Sequence, residues 1–456
     1  MSGCSTRQDK NKISKIEMPE VWHLAEDIVG RIKAPEIPDS NYLITDFGAV
    51  PNSHTDNKGA FDAVMALCRE NGGGRIIVPT GKFMVNGPIH FESNVEIHLE
   101  EGAEIIFGAN PEDYLPVVLT RWEGTLLYNY SPFIYAFRKH DMAITGNGTI
   151  NGNGAALFQT WQKEQRPDQL ALRAMNNDGT PVEERIFGDG HKLRPTLIQF
   201  YECESIKIEG ITITNSPFWC IQPVFSKGIE VSNISFDAQN LNNDGIDPDS
   251  SEDIYIHDID FNNRDDNIAI KSGRDREGRE LARPSRNIVI RRCRWKGHNA
   301  VCMGSEMSGG ISNVFIENCS FNGSVRAGVY LKSNRDRGGA IHDIYVRDME
   351  LDTCLSVVEM DTDYKNEGEG HLSNFYNVYI ERLQANYARD HGIYIQGMEG
   401  RPIHTVYLKD VTVVTSEKEA LINHARGIKM DRVQVGGKTL ESIPEHKPGE
   451  NKNLQL

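Results

Sequence analysis

Apolar side chains recur from residue 206 onward in a fixed pattern of four positions, numbered 0, 2, 5 and 7 within each copy. The pattern occurs nine times, and its copies begin at Ile206, Ile229, Ile254, Ile288, Val314, Ile344, Val378, Val406 and Ile428. Their starts lie 22 to 34 residues apart. One such unit cannot bury its apolar side alone, but stacked units can, because each rests on its neighbour's equivalent residues. The pattern therefore predicts a parallel β-solenoid.

A second apolar strand follows the first one in most of these units. Its first inward column is formed by Ile246, Ile268, Val301, Val329, Val357 and Ile393. Its next inward column is formed by Ile270, Met303, Leu331 and Ile395. Because side chains alternate across a strand, the residues between and beside them point outward, among them Ala269, Lys271, Cys302, Tyr330 and Lys332.

Polar residues stand immediately before these second strands. The aligned positions are Asp244, Asp266 and Asn299, with Asn243, Asp265 and His298 one position earlier. Stacked coils are spaced by roughly 4.8 Å, so these groups fall on three successive coils within about 10 Å. The outward residues Lys271 and Lys332 add a basic column beside them. The sequence therefore predicts an acidic patch flanked by cations.

The N-terminal part predicts a cap for the solenoid. An apolar stripe at helical spacing indicates a helix from about residue 19 to 33. A second helix is predicted at 58–71, where the glycines at 72–74 end it. We expect both helices to cover the open end of the stack, because an exposed strand edge invites pairing with other chains.

Length and composition agree with one long solenoid. The formal net charge of −16 argues against a nucleic-acid-binding surface, and no apolar run reaches the length of a membrane span. Cys293 and Cys319 share one inward column, which favours packed free thiols over metal ligands. We expect a monomer with a flexible linker at 1–17, a β-helix with its cap at 18–440, and a C-terminal tail at 441–456.

The first five residues, Met-Ser-Gly-Cys-Ser, bear on localisation. They look like the end of a bacterial lipoprotein cleavage site that lacks its apolar region. One interpretation is a lipid anchor at Cys4, with the protein in the periplasm or on the outer-membrane surface of a bacterium. The other is a chance cysteine in a secreted protein. The sequence leaves both open.

Specific motifs resemble a known family. Residues 44–49 and 72–81 look like the entry region of pectin-lyase-like right-handed β-helices. The motifs at 242–245, 264–267, 297–298 and 331–333 resemble those of glycoside hydrolase family 28, the polygalacturonase family, and the resemblance covers roughly residues 42 to 435. It implies an all-β, single-stranded right-handed parallel β-helix. It also implies hydrolysis of α-linked galacturonic acid in pectic polysaccharides or oligosaccharides.

Cleaving a glycosidic bond needs one carboxylic acid to protonate the leaving oxygen and a second carboxylate to activate water or attack directly. Crowded carboxylates raise one another's proton affinity, which suits an acid. The resemblance implies that Asp265 is the general acid, and that Asp244 and Asp266 position and deprotonate water with inversion. It further implies that His298 holds the acid's proton state or contacts the sugar, and that Lys332 pairs with a uronate. This chemistry requires no metal and no other cofactor.

The substrate-binding candidates are Asn242, Lys271, Arg326, Tyr330, Lys332, Glu306 and Trp122. Tyr330 stands where the family has an arginine, and a phenol cannot grip a carboxylate through two parallel hydrogen bonds as a guanidinium does. Arg326, just upstream, is a candidate to compensate. A rhamnose or another neutral sugar beside the cleaved galacturonate would also remove the need for that arginine. Homogalacturonan and rhamnogalacturonan therefore both stay open as substrates.

Residues from about 155 to 194 interrupt the coil rhythm. Such a long insertion is usually functional or disordered. If it walls off one end of a groove, the enzyme trims chain ends, and residues 303–310 and 332–339 also resemble bacterial exo-acting members. We expect Trp122 and Glu123 to help form the pocket for the terminal sugar.

Two other functions fit the same fold. A pectic polysaccharide lyase could use the acidic trio to hold a cation, and would leave an unsaturated, ultraviolet-absorbing product. A non-catalytic carbohydrate-binding solenoid would bind the polymer without producing new reducing ends.

Overall fold

A computed structural model describes residues 20–444 and 454–455. The helices are α1 (Trp22–Arg31), α2 (Lys58–Asn71), α3 (Phe158–Trp161), α4 (Arg166–Asp178) and α5 (Asp275–Leu281). Short 3-10 helices lie at Ile44–Phe47, Pro111–Tyr114, Gly154–Ala156, Val182–Glu184 and Tyr364–Asn366.

Every strand that begins before residue 311 is short, whereas four of those that follow are 21 to 23 residues long. The first group is β1 (Asn41–Leu43), β2 (Asn52–Asp56), β3 (Gly74–Val78), β4 (Gly81–Val85), β5 (Ile89–His90), β6 (Val95–Leu99), β7 (Ala103–Phe107), β8 (Val118–Trp122), β9 (Thr125–Asn129), β10 (Ile134–Phe137), β11 (His140–Gly146), β12 (Thr149–Asn151) and β13 (Ile186–Phe187). The second group is β14 (Ile198–Tyr201), β15 (Glu204–Glu209), β16 (Thr212–Thr214), β17 (Ile221–Val224), β18 (Lys227–Ser232), β19 (Ser235–Asp237), β20 (Glu252–His257), β21 (Asp266–Ile270), β22 (Ser285–Arg291), β23 (Arg294–Trp295) and β24 (Asn299–Met303). The third group is β25 (Ile311–Lys332), β26 (Ala340–Asp361), β27 (Asn374–Gln396), β28 (Ile403–Asn423), β29 (Ala425–Val435), β30 (Lys438–Thr439) and β31 (Leu454–Gln455).

Parallel pairing between equivalent strands of successive coils confirms the predicted β-helix. The nine apolar starts are register partners in an unbroken series from Ile206 to Ile428. All four apolar positions of every copy are buried, including the weakest fillers Cys293, Cys319 and Ala385. Because each inward residue rests on its counterpart in the next coil, the core is one continuous column rather than a sphere.

The pattern breaks between positions 2 and 5 because the backbone turns there. Position 4 has a positive φ in every copy, for example at Asp258, Asn318 and Asp348. Asn and Asp tolerate the left-handed region better than most residues, because their short side chains bond locally. The arginines at this position form ion pairs along the stack, as Arg292 does with Asp258 at 2.7 Å. These corners let a strand pair bend without losing its register.

The predicted inward column is wrong at one coil. Val329 pairs with Val358, not with Val357, and Val358 in turn pairs with Ile393. The register shifts at the corner that precedes this strand in both pairings. Because Val357 and Val358 are both buried, apolar character by itself could not choose between them.

The two N-terminal helices play different parts. Helix α2 closes the open end, with Phe61 and Val64 buried in the main core. Helix α1 does not: it lies along the flank of the stack, where Ala25 and Ile28 pack on outward side chains of β22, β25 and β26. The expectation of a two-helix end cap is therefore wrong for α1. Its buried stripe is narrow, since Leu24 is 40% exposed, and suits a flat outer face.

The insertion at 155–194 is folded. It contains α3, α4 and β13, and β13 joins the hairpin of β8 and β9 in a small separate sheet. A second apolar cluster, which includes Leu172 of α4, Trp122 of β8 and Phe218 of the coil, fastens it to the solenoid. The interpretation of this segment as a disordered loop is therefore wrong.

Seven cysteines lie in the part of the chain that the structure describes, and all are free and buried, as expected for Cys293 and Cys319. Cys4, the predicted anchor residue, lies outside the described residues. Within the described ranges, no helix combines the length and apolar character needed to cross a bilayer.

Candidate active site

Coil stacking brings Asp244, Asp265 and Asp266 together. Ile246 pairs with Ile268, which places Asp244 beside Asp266 on the neighbouring coil. Each aspartate offers a carboxylate oxygen, and the three oxygens all lie within 4.8 Å of one another. The structure thus places these three carboxylates as the register of the apolar pattern predicted.

The three carboxyl groups differ in proton affinity. Burial and the neighbouring aspartates raise the pKa of Asp244 well above its usual range, and burial and Asp266 raise that of Asp265. Burial also pushes the pKa of Asp266 upward, but Lys332 and Lys271 outweigh it and lower the pKa. Lys332 Nζ donates to Asp266 Oδ2 at 2.8 Å, and Asn299 Nδ2 donates to Oδ1 at 2.6 Å. One carboxylate is therefore held ionised beside two that favour protonation.

Asn242 lies beside the acidic trio, and Asp244 has an oxygen without a partner. Asn242 has a φ of 58°, and its Oδ1 accepts from buried Arg194 at 2.6 Å. Its Nδ2 lies 3.4 Å from Asp265 Oδ2, within reach of a weak hydrogen bond. Asp244 Oδ1 is buried and has no hydrogen-bond partner among the described residues. A buried carboxylate oxygen without a partner is costly, so this atom is suited to hold a water or a sugar hydroxyl.

Lys271 lies in the same outward column as Lys332, as predicted. Its Nζ donates to Gly304 O at 2.9 Å and to Glu306 Oε2 at 3.1 Å. Burial lowers the pKa of Lys271, but the nearby acids, Glu306 first and then Asp244 and Asp266, together outweigh it, so the pKa is raised. Both lysines are thus bonded to acids of the protein itself. Lys332, which the resemblance pairs with a uronate, is directed at Asp266 instead.

These residues line a cavity of about 180 Å³, which suits a single sugar ring better than a length of polymer. One wall carries the coil residues Asn242, Asp244, Asp265, Asp266, Lys271, Glu306 and Lys332. The other wall carries Glu123, Arg166, Gln169 and Arg274. Arg166 and Gln169 belong to α4, so the folded insertion forms part of the cavity wall.

Trp122 is not part of this cavity, although its neighbour Glu123 is. The Trp122 side chain is 3% exposed, stacks on Phe218 and donates its Nε1 hydrogen to Arg194 O at 3.0 Å. The prediction that it contacts the sugar is therefore wrong. It is a core residue of the apolar cluster that fastens the insertion.

Tyr330 and Arg326 also lie apart from the cavity lining. Tyr330 is buried, and its ring lies beneath Lys332. Arg326 Nη2 donates to Glu359 Oε1 at 2.9 Å and approaches the Tyr330 hydroxyl at 3.4 Å. Glu359 thus holds the guanidinium that was expected to compensate for the missing arginine. Neither side chain is placed to contact a sugar in the cavity.

His298 is exposed and lies outside the cavity lining. Burial and Asp266 raise the pKa of Asp265, and His298 is close enough to oppose part of that rise. Its position fits an electrostatic influence on Asp265 better than a place on the cavity wall.

Sequence reasoning missed Arg274 and Asp247. Asp247 is fully buried, neither of its carboxylate oxygens has a partner among the described residues, and burial raises its pKa well above the usual range. Asp247 follows Ile246 and lies in the same outward column as Ala269 of the next coil. Strand alternation could therefore have revealed it. Arg274 follows β21 in an irregular corner, where no periodicity points to it.

The acidic trio also has the donor set of a hard cation site, since such ions prefer carboxylate oxygens. However, Lys332 already balances the charge of Asp266, and the proton affinity of Asp244 and Asp265 is raised. This arrangement fits proton transfer better than binding of a divalent ion.

The chain is similar to known proteins in both sequence and structure. The model of the family described as "Glycosyl hydrolases family 28" matches residues 68–431. A probable polygalacturonase from Vitis vinifera is 31% identical over 344 residues, which cover 72% of this chain. This chain spans 64% of that relative's length.

Two solved structures share the fold. The crystal structure of a hyperthermoactive exopolygalacturonase from Thermotoga maritima is 36% identical, with a TM-score of 0.86, and the match covers 92% of this chain and 97% of the other. A family 28 exopolygalacturonase from Yersinia enterocolitica has a TM-score of 0.71 at 18% identity, covering 88% of this chain and 76% of the other. The second likeness shows the fold alone.

Proposed function

Because this chain belongs to glycosyl hydrolases family 28, we propose that it hydrolyses the α-linkage of a terminal galacturonic acid in pectic polymers and releases one sugar at a time. The observation that carries the exo character is the small cavity that the folded insertion walls at the acidic trio. A polymer threading through the site would need a groove that continues past this wall. The similarity to the exopolygalacturonase of Thermotoga maritima supports the same activity.

The proton affinities support distinct roles for the carboxyl groups. Asp265, whose pKa is raised, would hold the proton that the leaving oxygen needs. Asp266, kept ionised by Lys332, would accept a proton from the attacking water. Asp244 would hold that water through its unpartnered Oδ1. These roles match those that the family resemblance implies.

We propose inversion at the anomeric carbon. The three carboxylate oxygens lie within 4.8 Å, which is shorter than the roughly 6.5–9.5 Å that usually separates acid and base in inverting glycosidases. A direct attack by Asp266 is nevertheless disfavoured, because both of its oxygens are already engaged by Lys332 and Asn299. NMR of the first galacturonate released should show the β anomer. Initial release of the α anomer would disprove inversion.

The activity is tested by incubating the protein separately with oligogalacturonides and with rhamnogalacturonan oligosaccharides, and by following the products chromatographically. We expect single galacturonate units to appear from one set, which also identifies the substrate. Mixed fragments of middle length would contradict exo action. An ultraviolet-absorbing product would identify a lyase, and binding without new reducing ends would identify a binding protein.

We propose that the protein acts outside the cytoplasm, with Cys4 as a lipid anchor. The support is the sequence of its first five residues, together with the polymeric substrate proposed above. Fractionation of cells that carry the wild type and the Cys4→Ala variant tests this. Equal distribution of both proteins in the soluble fraction would exclude the anchor.

A further inference from the structure

Most cations of the cavity are already bonded to groups of the protein. Lys332 is bonded to Asp266, and Lys271 to Glu306 and Gly304 O. Arg337 is fully buried, pairs with Asp275 and donates its Nε hydrogen to Ser305 O at 2.9 Å. A terminal uronate in this cavity therefore needs another cationic partner.

Arg274 has the free donor capacity that these cations lack. Its side chain lines the cavity and is 9% exposed. One guanidinium nitrogen, Nη1, donates to Glu123 Oε2 at 2.8 Å. Its Nε is buried and has no hydrogen-bond partner within the described ranges. A second acid, Asp275, lies 3.7 Å from Nε, beyond hydrogen-bond distance, and is already bonded to Arg173 and Arg337.

Glu123 fixes the position of this guanidinium. Its Oε2 accepts from Arg274 and also from Gln169 Nε2 of α4 at 2.7 Å. Glu123 stands with Gly124 at the tip of the β8–β9 hairpin, where Gly124 O accepts the Arg274 backbone hydrogen at 3.0 Å. A Cβ at Gly124 would lie 2.9 Å from the Arg274 nitrogen, so only glycine permits this approach. The β8–β9 hairpin, helix α4 of the insertion and the corner after β21 are thus joined by hydrogen bonds, and together they hold Arg274 in place.

The charge of the cavity favours an anion at this wall. Its lining has as many acidic as basic side chains. Two of the acids, Asp244 and Asp265, have raised pKa values because of burial and mutual repulsion. When either holds a proton, the lining carries net positive charge. Two cations of the lining, Arg166 and Lys365, are exposed, whereas Arg274 Nε is a buried donor without a partner among the described residues.

We propose that Arg274 binds the carboxylate of the terminal galacturonate and so takes over the task of the arginine that Tyr330 replaces. This inference rests on the proposed function. A planar guanidinium can grip a carboxylate through two parallel hydrogen bonds, which a lysine ammonium cannot. The wall that ends the groove would then also recognise the acid of the last sugar. Exo action and uronate specificity would come from the same elements.

The test compares substrates that differ only in the carboxylate, an aryl α-D-galacturonide and the matching aryl α-D-galactoside. Arg274→Gln should lower kcat/KM on the galacturonide by about 100-fold, the scale of a lost charge-assisted contact. It should change the value on the galactoside by less than about 3-fold. Arg274→Lys should restore part of the loss. Arg276→Gln, a change of an exposed arginine on α5, is the matched control and should behave as wild type.

Binding separates this inference from the hydrolase proposal. Calorimetry with free galacturonate and with galactose should show that wild type prefers the acid and that Arg274→Gln does not. If wild type binds galacturonate in this way but cleaves nothing, the hydrolase proposal fails and the role of Arg274 stands. Equal losses on both aryl substrates, no loss on the galacturonide, or no binding of galacturonate by wild type would each overturn the role of Arg274.

Discussion

The two walls of the cavity are built by different means. The coil wall carries Asp244, Asp265 and Asp266 at positions fixed by strand register. The opposite wall carries Glu123, Gln169 and Arg274 on a hairpin tip, an inserted helix and an irregular corner. A repeating backbone holds the groups that we propose break the glycosidic bond, whereas insertions hold those that we expect to choose the sugar. Loops vary more easily than a packed stack, so substrate choice can change while the chemistry stays fixed.

Among changes to the coil wall, removal of the proton donor should cause the largest loss of activity. Asp265→Asn keeps the shape of the side chain but cannot supply the proton. We expect kcat to fall by about 1,000-fold, within the usual range for general acid catalysis. Initial rates of reducing-sugar release measure it, and Asp260→Asn, a change of an exposed acid on a nearby coil, is the control. A loss of less than 10-fold would exclude Asp265 as the acid.

Lys332→Met should have the next largest effect, a fall in kcat of about 100-fold at pH 5. Lys332 lowers the pKa of Asp266, so its removal raises that pKa and protonates the base at higher pH. The acidic limb of the pH–rate profile should therefore move upward. An unchanged limb would show that Asp266 does not need Lys332. Lys163→Met, a change of an exposed lysine of the insertion, should leave the profile unmoved.

The same ion pair should affect stability. The pKa of Asp266 is depressed in the folded protein, so the pair stabilises above the unfolded carboxyl's pKa of about 3.9 and this stability is lost as pH falls towards the folded value. Urea midpoints of wild type and Lys332→Met should thus differ more at pH 6 than at pH 3. Equal differences at both pH values would contradict this account.

The opposite wall should respond with a smaller effect of another kind. Gln169→Ala removes one of the two hydrogen bonds that hold Glu123 and so loosens Arg274. We expect KM for oligogalacturonides to rise about 5-fold with kcat nearly unchanged. A hydrogen bond to a charged group contributes roughly 1.5–3 kcal/mol, and only part of it reaches the substrate because Gln169 acts through Glu123 and Arg274. Leu170→Ala, in the same helix and 48% exposed, is the control. A fall in kcat without a change in KM would place Gln169 with the chemistry instead.

A small truncation in the buried core behind Asp265 and Asp266 should affect only the free energy of unfolding. Ile268 is fully buried in β21, the strand that begins at Asp266. Ile268→Val should lower the free energy of unfolding by about 1 kcal/mol, the usual cost of one buried methylene. Urea denaturation measures it, and Val414→Ala, at a residue 62% exposed, should change it by less than about 0.5 kcal/mol. A marked loss of kcat would show that the core packing of β21 also controls the positions of Asp265 and Asp266.

The sequence predicted the stack because its signal repeats. Nine copies of one apolar pattern set the register, and that register placed three aspartates on adjacent coils. It misjudged Val357, because two adjacent valines are both buried and a shift at the corner chooses between them. It also misjudged α1, whose apolar stripe indicated a helix but not the surface on which that helix lies.

What the sequence determined by itself is therefore the β-helix and the acidic centre. Both follow from a short apolar pattern that repeats along the chain and stacks coil upon coil. Only the tertiary structure decided the second wall. It buried Trp122, drew Arg326 to Glu359, and brought Arg274 against Glu123 from a position 151 residues away. The physical reason is that these contacts join elements outside the repeat. No period relates their positions, and only the packing of the folded insertion fixes the distances between them.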